Sequence, residues 1–313
     1  MAIQRPDLET AKQILINAYK LDKIPFKPES VEPYCQGGSA LVLKCTDIDG
    51  IEYAVRFPNT EYKLNNILSE IKILNFLQSE ELSKKSGLDI PEPHYVPDDT
   101  FPFFWHKAIV GETLLPNKYN ILNEKQKNNL ARKIAKFLLS IHSCAKKPQI
   151  PNYTEYDKFL LGQIRLNSFE ELKRNIPQNI FNKYNKMKIN IDYPDTVCHF
   201  DMHGRNMAIN PQTKELVGIF DFGDTRIQKC FMDFYKLSFV SRNLTRRVIN
   251  EYNKISNIKI NLDDVDIAYL CDIANKLKKY PDDGICNTSL KNFSTDVIDQ
   301  QLKNQHSVPN RYL

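Results

Sequence analysis

Two short segments near the middle of the chain carry the side chains best suited to chemistry. The first contains His199, Asp201 and Asn206, and the second is Asp221-Phe222-Gly223. Carboxylate and amide oxygens are hard ligands that suit Mg²⁺. A carboxylate beside a hydroxyl can orient and deprotonate it, and phosphoryl transfer requires a metal and such a base together. The two segments therefore predict a phosphoryl-transfer site.

Apolar, strand-like residues around both segments determine how they are positioned. Residues 207–220 have the pattern of two short strands joined by a turn. The returning strand of this hairpin would bring Asp221 beside Asn206, with Asp201 on the loop before it. The order H-x-D-x-x-x-x-N followed by D-F-G is typical of kinases. We therefore predict Asp201 as the catalytic base and Asn206 and Asp221 as magnesium ligands.

An upstream strand offers a cation for nucleotide phosphates. In Tyr53-Ala54-Val55-Arg56, strand alternation places Ala54 and Arg56 on the same face. In kinases, a small residue at the first position covers the nucleotide base, and a cation at the second binds the α and β phosphates. Glu70 follows on the core-facing side of a predicted helix, where it can pair with Arg56. A surface arginine and a solvated glutamate are the simpler explanation of either residue alone.

A glycine-containing turn, Gln36-Gly37-Gly38-Ser39-Ala40, lies between the first two strand-like runs. Adjacent glycines let backbone N–H groups approach a phosphate closely. Any hairpin could carry the same residues. In combination with the other segments, the turn predicts Gly38 and Ser39 as contacts for the nucleotide phosphates.

Hydrophobic periodicity in the first third of the chain switches between helix and strand. It predicts a helix over 8–19, strands within 34–57, a helix over 64–74 and strands within 95–109. This order describes a small sheet with one helix packed on it.

The rest of the chain has a different pattern. After Gly111 the periodicity is helical, apart from a strand-like island over 196–222. We therefore predict an α+β fold with a small antiparallel β lobe and a mainly helical lobe. Residues 1–108 would form the nucleotide-binding lobe with its leading helix, and residues 109–313 the lobe with the catalytic loop and the acceptor site.

Composition narrows the class of protein. Hydrophobic residues make up 42% of the chain, and the net charge of +5 is scattered, which favours a globular protein without a nucleic-acid-binding stripe. The seven cysteines form no C-x-x-C pair, which favours a reducing compartment over a zinc or disulfide framework. No apolar run reaches the ~20 residues of a membrane span. We expect a cytoplasmic monomer or weak dimer that binds neither nucleic acid nor membranes.

The catalytic segments resemble those of the aminoglycoside phosphotransferase family, which shares the protein-kinase fold. The loop pattern of that family, H-G-D-x-H-x-x-N, is matched at His199, Asp201, His203 and Asn206. Its I-D-F/W-G/E-D stretch is similar to residues 219–224, and the resemblance extends over about residues 34–240. It implies a two-lobed, protein-kinase-like fold and supports the same base and metal ligands.

The resemblance also implies roles for residues outside these segments. Residues 103–111 are similar to the hinge of the family, so Lys107 and Ile109 are implied contacts of the nucleotide. Asp233 matches a later aspartate of the family, and His142 matches the histidine that ends a long helix. The implied ligands are Mg²⁺, ATP or GTP, and a small molecule whose hydroxyl accepts the phosphate.

Three positions depart from the family pattern. Phe200 stands where glycine is usual, Gly204-Arg205 where Pro-Gly is common, and Arg56 where lysine is more frequent. Arginine keeps the positive charge but has a planar, forked geometry. None of the three changes removes an essential group, so the resemblance still implies activity.

The sequence says less about the identity of the phosphate acceptor than about the nucleotide site. Six aspartates toward the C-terminus would suit an aminoglycoside, which carries several amines: Asp263, Asp264, Asp266, Asp272, Asp282 and Asp283. A solvated helix face is the simpler explanation of most of them. The sequence therefore leaves the acceptor open.

Two other functions stay open at this point. The first is a protein or effector kinase on the same fold, although the short link from Asp224 to Asp233 leaves no room for a long activation segment. The second is a catalytically silent nucleotide-binding module, for which Phe200 and Arg56 are the motivating residues.

Overall fold

The computed structural model describes residues 3–37, 40–146, 150–152, 172–190, 192–280 and 284–306. Its first element is helix α1, Leu8–Lys20. The Asp7 carboxylate caps this helix by accepting the N–H of Thr10. The buried face of the helix consists of Ala11, Leu15 and Ala18. This face packs on a sheet, so the helix predicted at the start of the chain is confirmed.

Five antiparallel strands form that sheet in the order β1-β2-β3-β5-β4. Their bounds are β1 Ser30–Gly37, β2 Ala40–Thr46, β3 Glu52–Pro58, β4 His94–Val96 and β5 Phe103–Lys107. In the register of β3 and β5, Ala54 lies opposite His106 and Arg56 opposite Phe104. These four side chains therefore share one face of the sheet.

Helix α2, Glu61–Ser79, covers part of the sheet and begins at Thr60, whose hydroxyl accepts the N–H of Lys63. Its buried residues are mostly apolar, but Glu70 is buried among them. A buried carboxylate requires partners, because an isolated buried charge is costly. The short helix α3, Leu82–Ser86, follows.

The second lobe is mainly helical. Its helices are α4 Pro116–Asn120, α5 Glu124–His142, α6 Gln178–Lys186, α7 Arg242–Ile255, α8 Leu262–Lys279 and α9 Gly284–His306. Helix α5 begins with a capping box, in which the Asn123 side chain accepts the N–H of Gln126 and the Gln126 side chain accepts the N–H of Asn123. The apolar face of α5 lies in the centre of the lobe.

Short strands carry the catalytic segments at the edge of this helical core. They are β6 Glu112–Thr113, β7 Asp195–Cys198, β8 Met207–Ile209, β9 Leu216–Ile219 and β10 Arg226–Lys229. Strands β6, β8 and β9 form one antiparallel sheet, and β7 pairs with β10. The predicted hairpin over 207–220 is confirmed by the β8–β9 pairing. Strand β10 was not predicted.

The α+β prediction is confirmed, since an antiparallel sheet lobe precedes a mainly helical lobe. The predicted boundary between residues 108 and 109 falls in the link from β5 to β6 and stays a prediction. Among the described residues, no helix is long and apolar enough to cross a membrane. Six cysteines of this part of the chain are buried thiols: Cys45, Cys144, Cys198, Cys230, Cys271 and Cys286.

Candidate active site

A buried aspartate, Asp233, binds the backbone of the loop after β7. Asp233 accepts the N–H of His199 at 3.0 Å and the N–H of Phe200 at 2.6 Å. His142 Nε2 donates to the same carboxylate at 3.0 Å, and the Tyr252 hydroxyl bonds to His142 Nδ1 at 2.9 Å. Because Asp233, His142, Tyr252 and His199 are buried, the position of the loop is determined by hydrogen bonds rather than by solvent-exposed contacts.

His199 ties this loop to the returning strand of the hairpin. Its Nδ1 accepts the N–H of Asp201 at 3.2 Å, so the ring proton lies on Nε2, which donates to the carbonyl of Phe220 at 3.2 Å. Burial lowers the pKa of His199 and keeps the ring neutral. The histidine of the motif therefore has a structural role in aligning the two catalytic segments.

Phe200 stands where the family pattern has glycine, and its backbone has a conformation that favours glycine. Its backbone adopts the left-handed conformation, with φ of 65°, which costs a residue with a side chain ~1–2 kcal/mol. The ring lies 4.0 Å from the guanidinium carbon of Arg226. The hydrogen bond from its N–H to Asp233 holds the strained backbone in place.

Asp201 is surrounded by hydrogen-bond donors. Lys236 Nζ lies 2.5 Å from Oδ1, while Asn206 Nδ2 lies 2.8 Å and His203 Nε2 3.3 Å from Oδ2. Burial alone would raise the pKa of Asp201, but the hydrogen bonds and charges of His203 and Lys236 outweigh it and hold the pKa well below its ordinary value. The predicted base is therefore ionised, and sequence reasoning missed its partner Lys236.

Asn206 and Asp221 meet at the end of the hairpin, as predicted. The N–H of Phe220 donates to the carbonyl of Asn206 at 3.1 Å, which places the following residue, Asp221, beside the loop that carries Asn206. Gly204 lets the loop lie close against the backbone of Leu114, because a Cβ at position 204 would lie 1.9 Å from the carbonyl oxygen of Leu114. Asn206 uses its amide N–H₂ on Asp201, so its side-chain oxygen remains for a cation.

The residues present fit a divalent cation. Burial of the Asp221 carboxylate, together with the nearby carboxylates of Glu70 and Asp201, raises its pKa to about 6 against the lowering effect of Arg56. Three carboxylates that share a small volume create a negative potential that a cation relieves. With the amide oxygen of Asn206, Asp221 supplies the hard oxygen ligands that Mg²⁺ prefers.

Arg56 and Glu70 form the predicted ion pair. Arg56 Nη1 donates to Glu70 Oε2 at 3.0 Å, and Glu70 Oε1 accepts the N–H of Phe222 at 3.3 Å. Glu70 therefore contacts both strand β3, which carries Arg56, and the turn that carries Asp221. The ring of Phe222 is buried against His199.

A cavity lies between the sheet and the hairpin. It is lined by Ala54, Arg56, Glu70, Ile109 and Asp221, among the predicted residues, and by others that include Val42, Phe104 and His106. Lys107 does not line it with its exposed side chain, and its carbonyl accepts a hydrogen bond from His106 Nδ1 at 2.9 Å. Burial lowers the pKa of His106. Gly38 and Ser39 lie outside the described residues.

Sequence reasoning missed His106, although a signal for it exists. Once Ala54 is placed in the cavity, strand pairing requires its partner on β5 to share that face. The register of the two strands, which cannot be deduced from one strand alone, identifies this partner as His106.

The acidic residues predicted to bind an amine-rich acceptor instead bind groups of the protein. Asp266 accepts from Arg242 and from the Tyr184 hydroxyl, and Asp264 accepts from the Tyr193 hydroxyl. Lys183 pairs with Asp263, and Lys276 with Asp272. Asp264 and Asp266 are buried against these partners, so the prediction is wrong for these two, whereas Asp263 and Asp272 are partly exposed and their role stays a prediction. Asp282 and Asp283 lie outside the described residues.

Comparison with known proteins places this geometry in context. The phosphotransferase enzyme family matches residues 30–258. The GDP complex of wild-type aminoglycoside 2′-phosphotransferase-IIIa superposes with a TM-score of 0.67 at 18% identity, over 94% of this chain and 100% of that chain.

Two further solved structures have the same fold. The streptomycin–ATP–APH(2″)-IIa ternary complex has a TM-score of 0.63 at 20% identity, over 92% of this chain and 96% of that chain. Macrolide 2′-phosphotransferase type I has a TM-score of 0.60 at 11% identity, over 92% and 98% of the two chains. These likenesses confirm the two-lobed, protein-kinase-like fold.

Proposed function

Because this chain belongs to the phosphotransferase enzyme family, we propose that it is a small-molecule kinase that transfers the γ-phosphate of ATP or GTP to a hydroxyl. One observation carries the proposal. The base Asp201 and the metal ligands Asn206 and Asp221 meet at one hairpin, and Glu70 joins that hairpin to Arg56. Phosphoryl transfer depends mainly on positioning and on charge stabilisation, and this arrangement supplies both.

Each side chain has a separate task in this mechanism. Asp201 orients the acceptor hydroxyl and takes its proton. Arg56, aligned by Glu70, binds the nucleotide phosphates, while Ala54 and Ile109 contact the base in the cavity. Mg²⁺ bound through Asn206 and Asp221 would offset the charge of the β and γ phosphates.

The acceptor that we propose is an aminoglycoside or a similar hydroxyl-bearing small molecule. Its support is the shared fold with enzymes whose names specify aminoglycosides or macrolides. Asp264 and Asp266 are paired inside the protein, so they do not contribute to the amine-binding surface that the sequence indicated. The acceptor class therefore requires a direct test.

A coupled nucleotide-release assay tests the function. The protein is incubated with Mg²⁺ and either ATP or GTP, and with an aminoglycoside, a macrolide, choline, homoserine or methylthioribose as acceptor. We expect acceptor-dependent release that Asp201→Ala abolishes. Nucleoside diphosphate release that occurs only with a non-amine acceptor would contradict the aminoglycoside assignment, but it would still support a small-molecule kinase.

The same assay separates the alternatives. Label from γ-labelled ATP that appears on polypeptides in a lysate would favour a protein kinase. Magnesium-dependent nucleotide binding without transfer to any acceptor or to water would contradict the proposed enzyme and favour a silent binding module.

A further inference from the structure

Lys236 lies closer to the catalytic carboxylate than any residue of the predicted motifs. It belongs to the 3₁₀ helix Tyr235–Phe239, and its Nζ lies 2.5 Å from Asp201 Oδ1. The side chain is 16% exposed, so the pair is largely shielded from water. Shielding strengthens an ion pair and makes its geometry more definite than that of a surface pair.

The fold predetermines where this ammonium lies. Lys236 follows Asp233, the residue that accepts the N–H groups of His199 and Phe200. Its Nζ lies 5.6 Å from the ring centre of Phe200 and 5.9 Å from that of Tyr235. Both distances are in the range of cation–π attraction. One buried anchor therefore positions Asp201 and its lysine together.

The hydrogen bonds of the two carboxylate oxygens are unequal. Oδ2 of Asp201 accepts from Asn206 Nδ2 at 2.8 Å and lies 3.3 Å from His203 Nε2. Among the residues that the structure describes, Oδ1 has Lys236 as its single donor. A carboxylate oxygen has about two lone-pair sites. One site on Oδ1, beside the ammonium, is therefore left for the acceptor hydroxyl.

We propose that Lys236 is a positioning residue for the transfer reaction. It holds Asp201 so that Oδ1 receives the hydroxyl proton, and it places a positive charge beside the attacking oxygen. This inference rests on the proposed function. In the step, the acceptor O–H bond breaks and its proton moves to Oδ1. The acceptor oxygen forms a bond to the γ-phosphorus, and the bond from that phosphorus to the β–γ bridging oxygen breaks. The bond's electron pair leaves on the nucleoside diphosphate.

Substitutions at one position separate positioning from simple packing. Lys236→Met keeps the length and the contact with both rings but removes the charge, and Lys236→Arg keeps the charge with a different geometry. The matched control is Lys276→Met, because Lys276 also pairs with an aspartate, Asp272 at 2.8 Å, and lies over an aromatic ring, Phe239 at 4.3 Å.

The assay is phosphate release from Mg·ATP with water as the acceptor, together with calorimetric binding of the non-hydrolysable analogue AMP-PNP with Mg²⁺. We expect Lys236→Met to lower kcat about 100-fold, as expected for a misplaced reacting group, and to leave KM and AMP-PNP affinity nearly unchanged. Lys236→Arg should lose less, and ethylammonium should restore part of the kcat of Lys236→Ala. Lys276→Met should match the wild type.

Two results would overturn the inference. The first is a kcat of Lys236→Met within a factor of about three of the wild type, which is far from the ~100-fold loss expected for misplacement. The second is a loss of kcat that thermal unfolding explains fully and that neither Lys236→Arg nor ethylammonium reduces. A wild-type protein that transfers phosphate neither to water nor to any acceptor would instead contradict the proposed function itself.

Discussion

Glu70 accepts the backbone N–H of Phe222 at 3.3 Å, although 152 positions separate the two residues in the chain. The same carboxylate accepts from Arg56 at 3.0 Å through its other oxygen. One buried side chain therefore links strand β3, which carries Arg56, to the turn that carries Asp221. The backbone of Asp89 makes a second link, because its N–H donates to the carbonyl of Val217 and its carbonyl accepts the N–H of Ile219.

Two substitutions of Glu70 separate its charge from its hydrogen bond. Glu70→Gln can still accept the N–H of Phe222 but no longer neutralises Arg56, so we expect Mg·nucleotide affinity to fall about tenfold, or ~1.4 kcal/mol. Glu70→Ala also leaves a buried N–H without a partner, which should lower the free energy of unfolding by a further ~1–3 kcal/mol. Calorimetric titration and urea unfolding measure the two effects. Equal stability of the two variants would contradict the role of the Phe222 bond.

Loss of the base should affect turnover and not nucleotide binding. Asp201→Ala removes the group that orients and deprotonates the hydroxyl, so we expect kcat to fall about 10³-fold, within the usual range for such groups. Binding of AMP-PNP should remain within about twofold, because Arg56 and the cavity stay intact. Asp192→Ala, at an exposed position, serves as the control. Unchanged turnover of Asp201→Ala would refute the assignment of the base.

Magnesium binding should depend on pH through Asp221. The pKa of its carboxyl is raised to about 6 in the absence of a metal, so the group is mainly ionised at pH 7 and protonated below pH 6. Below pH 6, Mg²⁺ must displace a proton, and its apparent affinity should fall by about tenfold per pH unit. Titration of Mg²⁺ between pH 5 and 8 checks the slope.

A variant of the same residue provides the control for this prediction. A raised pKa means that the ionised carboxylate destabilises the metal-free fold fully above pH 6, and that this penalty shrinks as the pH falls from 6 toward the ordinary value of 3.8. Asp221→Asn should therefore raise the melting temperature of the metal-free protein at pH 7, although it abolishes Mg²⁺ binding. A Mg²⁺ affinity of the wild type that is constant from pH 5 to 7 would contradict the role of Asp221.

The strained backbone at Phe200 predicts an unusual order of stabilities. Alanine and glycine both remove the ring from Arg226, but only glycine adopts a φ of 65° without a steric penalty. We expect Phe200→Gly to be more stable than Phe200→Ala by about 1 kcal/mol. Urea unfolding of the two variants gives the difference directly. If the alanine variant is the more stable, the strain does not exist in solution.

The buried pair of Arg242 and Asp266 should matter for stability and not for acceptor binding. Asp266→Asn leaves the guanidinium of Arg242 without its main counter-charge and should lower the free energy of unfolding by ~3–5 kcal/mol. Asp263→Asn is the matched control, since its pair with Lys183 is about one-third exposed and is worth ~0–1 kcal/mol. A raised KM for an aminoglycoside in Asp266→Asn, without a loss of stability, would restore the acceptor role inferred from the sequence.

Much of the catalytic geometry was predictable because it is local in the chain. Asp201, Asn206 and Asp221 belong to a loop and a single hairpin, so the strand period and one turn are sufficient to bring them together. Ala54 and Arg56 share a face for the same reason. The class of fold and the convergence of these side chains therefore followed from residue types and spacing alone, and their catalytic roles stay a prediction.

The partners of these residues depended on tertiary packing. Lys236 lies near Asp201 because Asp233, three residues before it, holds the loop that carries Asp201. His106 faces Ala54 only in the register that the sheet adopts. The spacing of the carboxylates in α8 is also compatible with a solvated helix face. Only the packing of α6 and α7 against α8 shows that Asp266 is paired inside the protein. Side chains far apart in sequence carry no mutual spacing signal. Their pairing is determined by which surfaces the folded chain brings into contact and by the requirement that buried charges find partners.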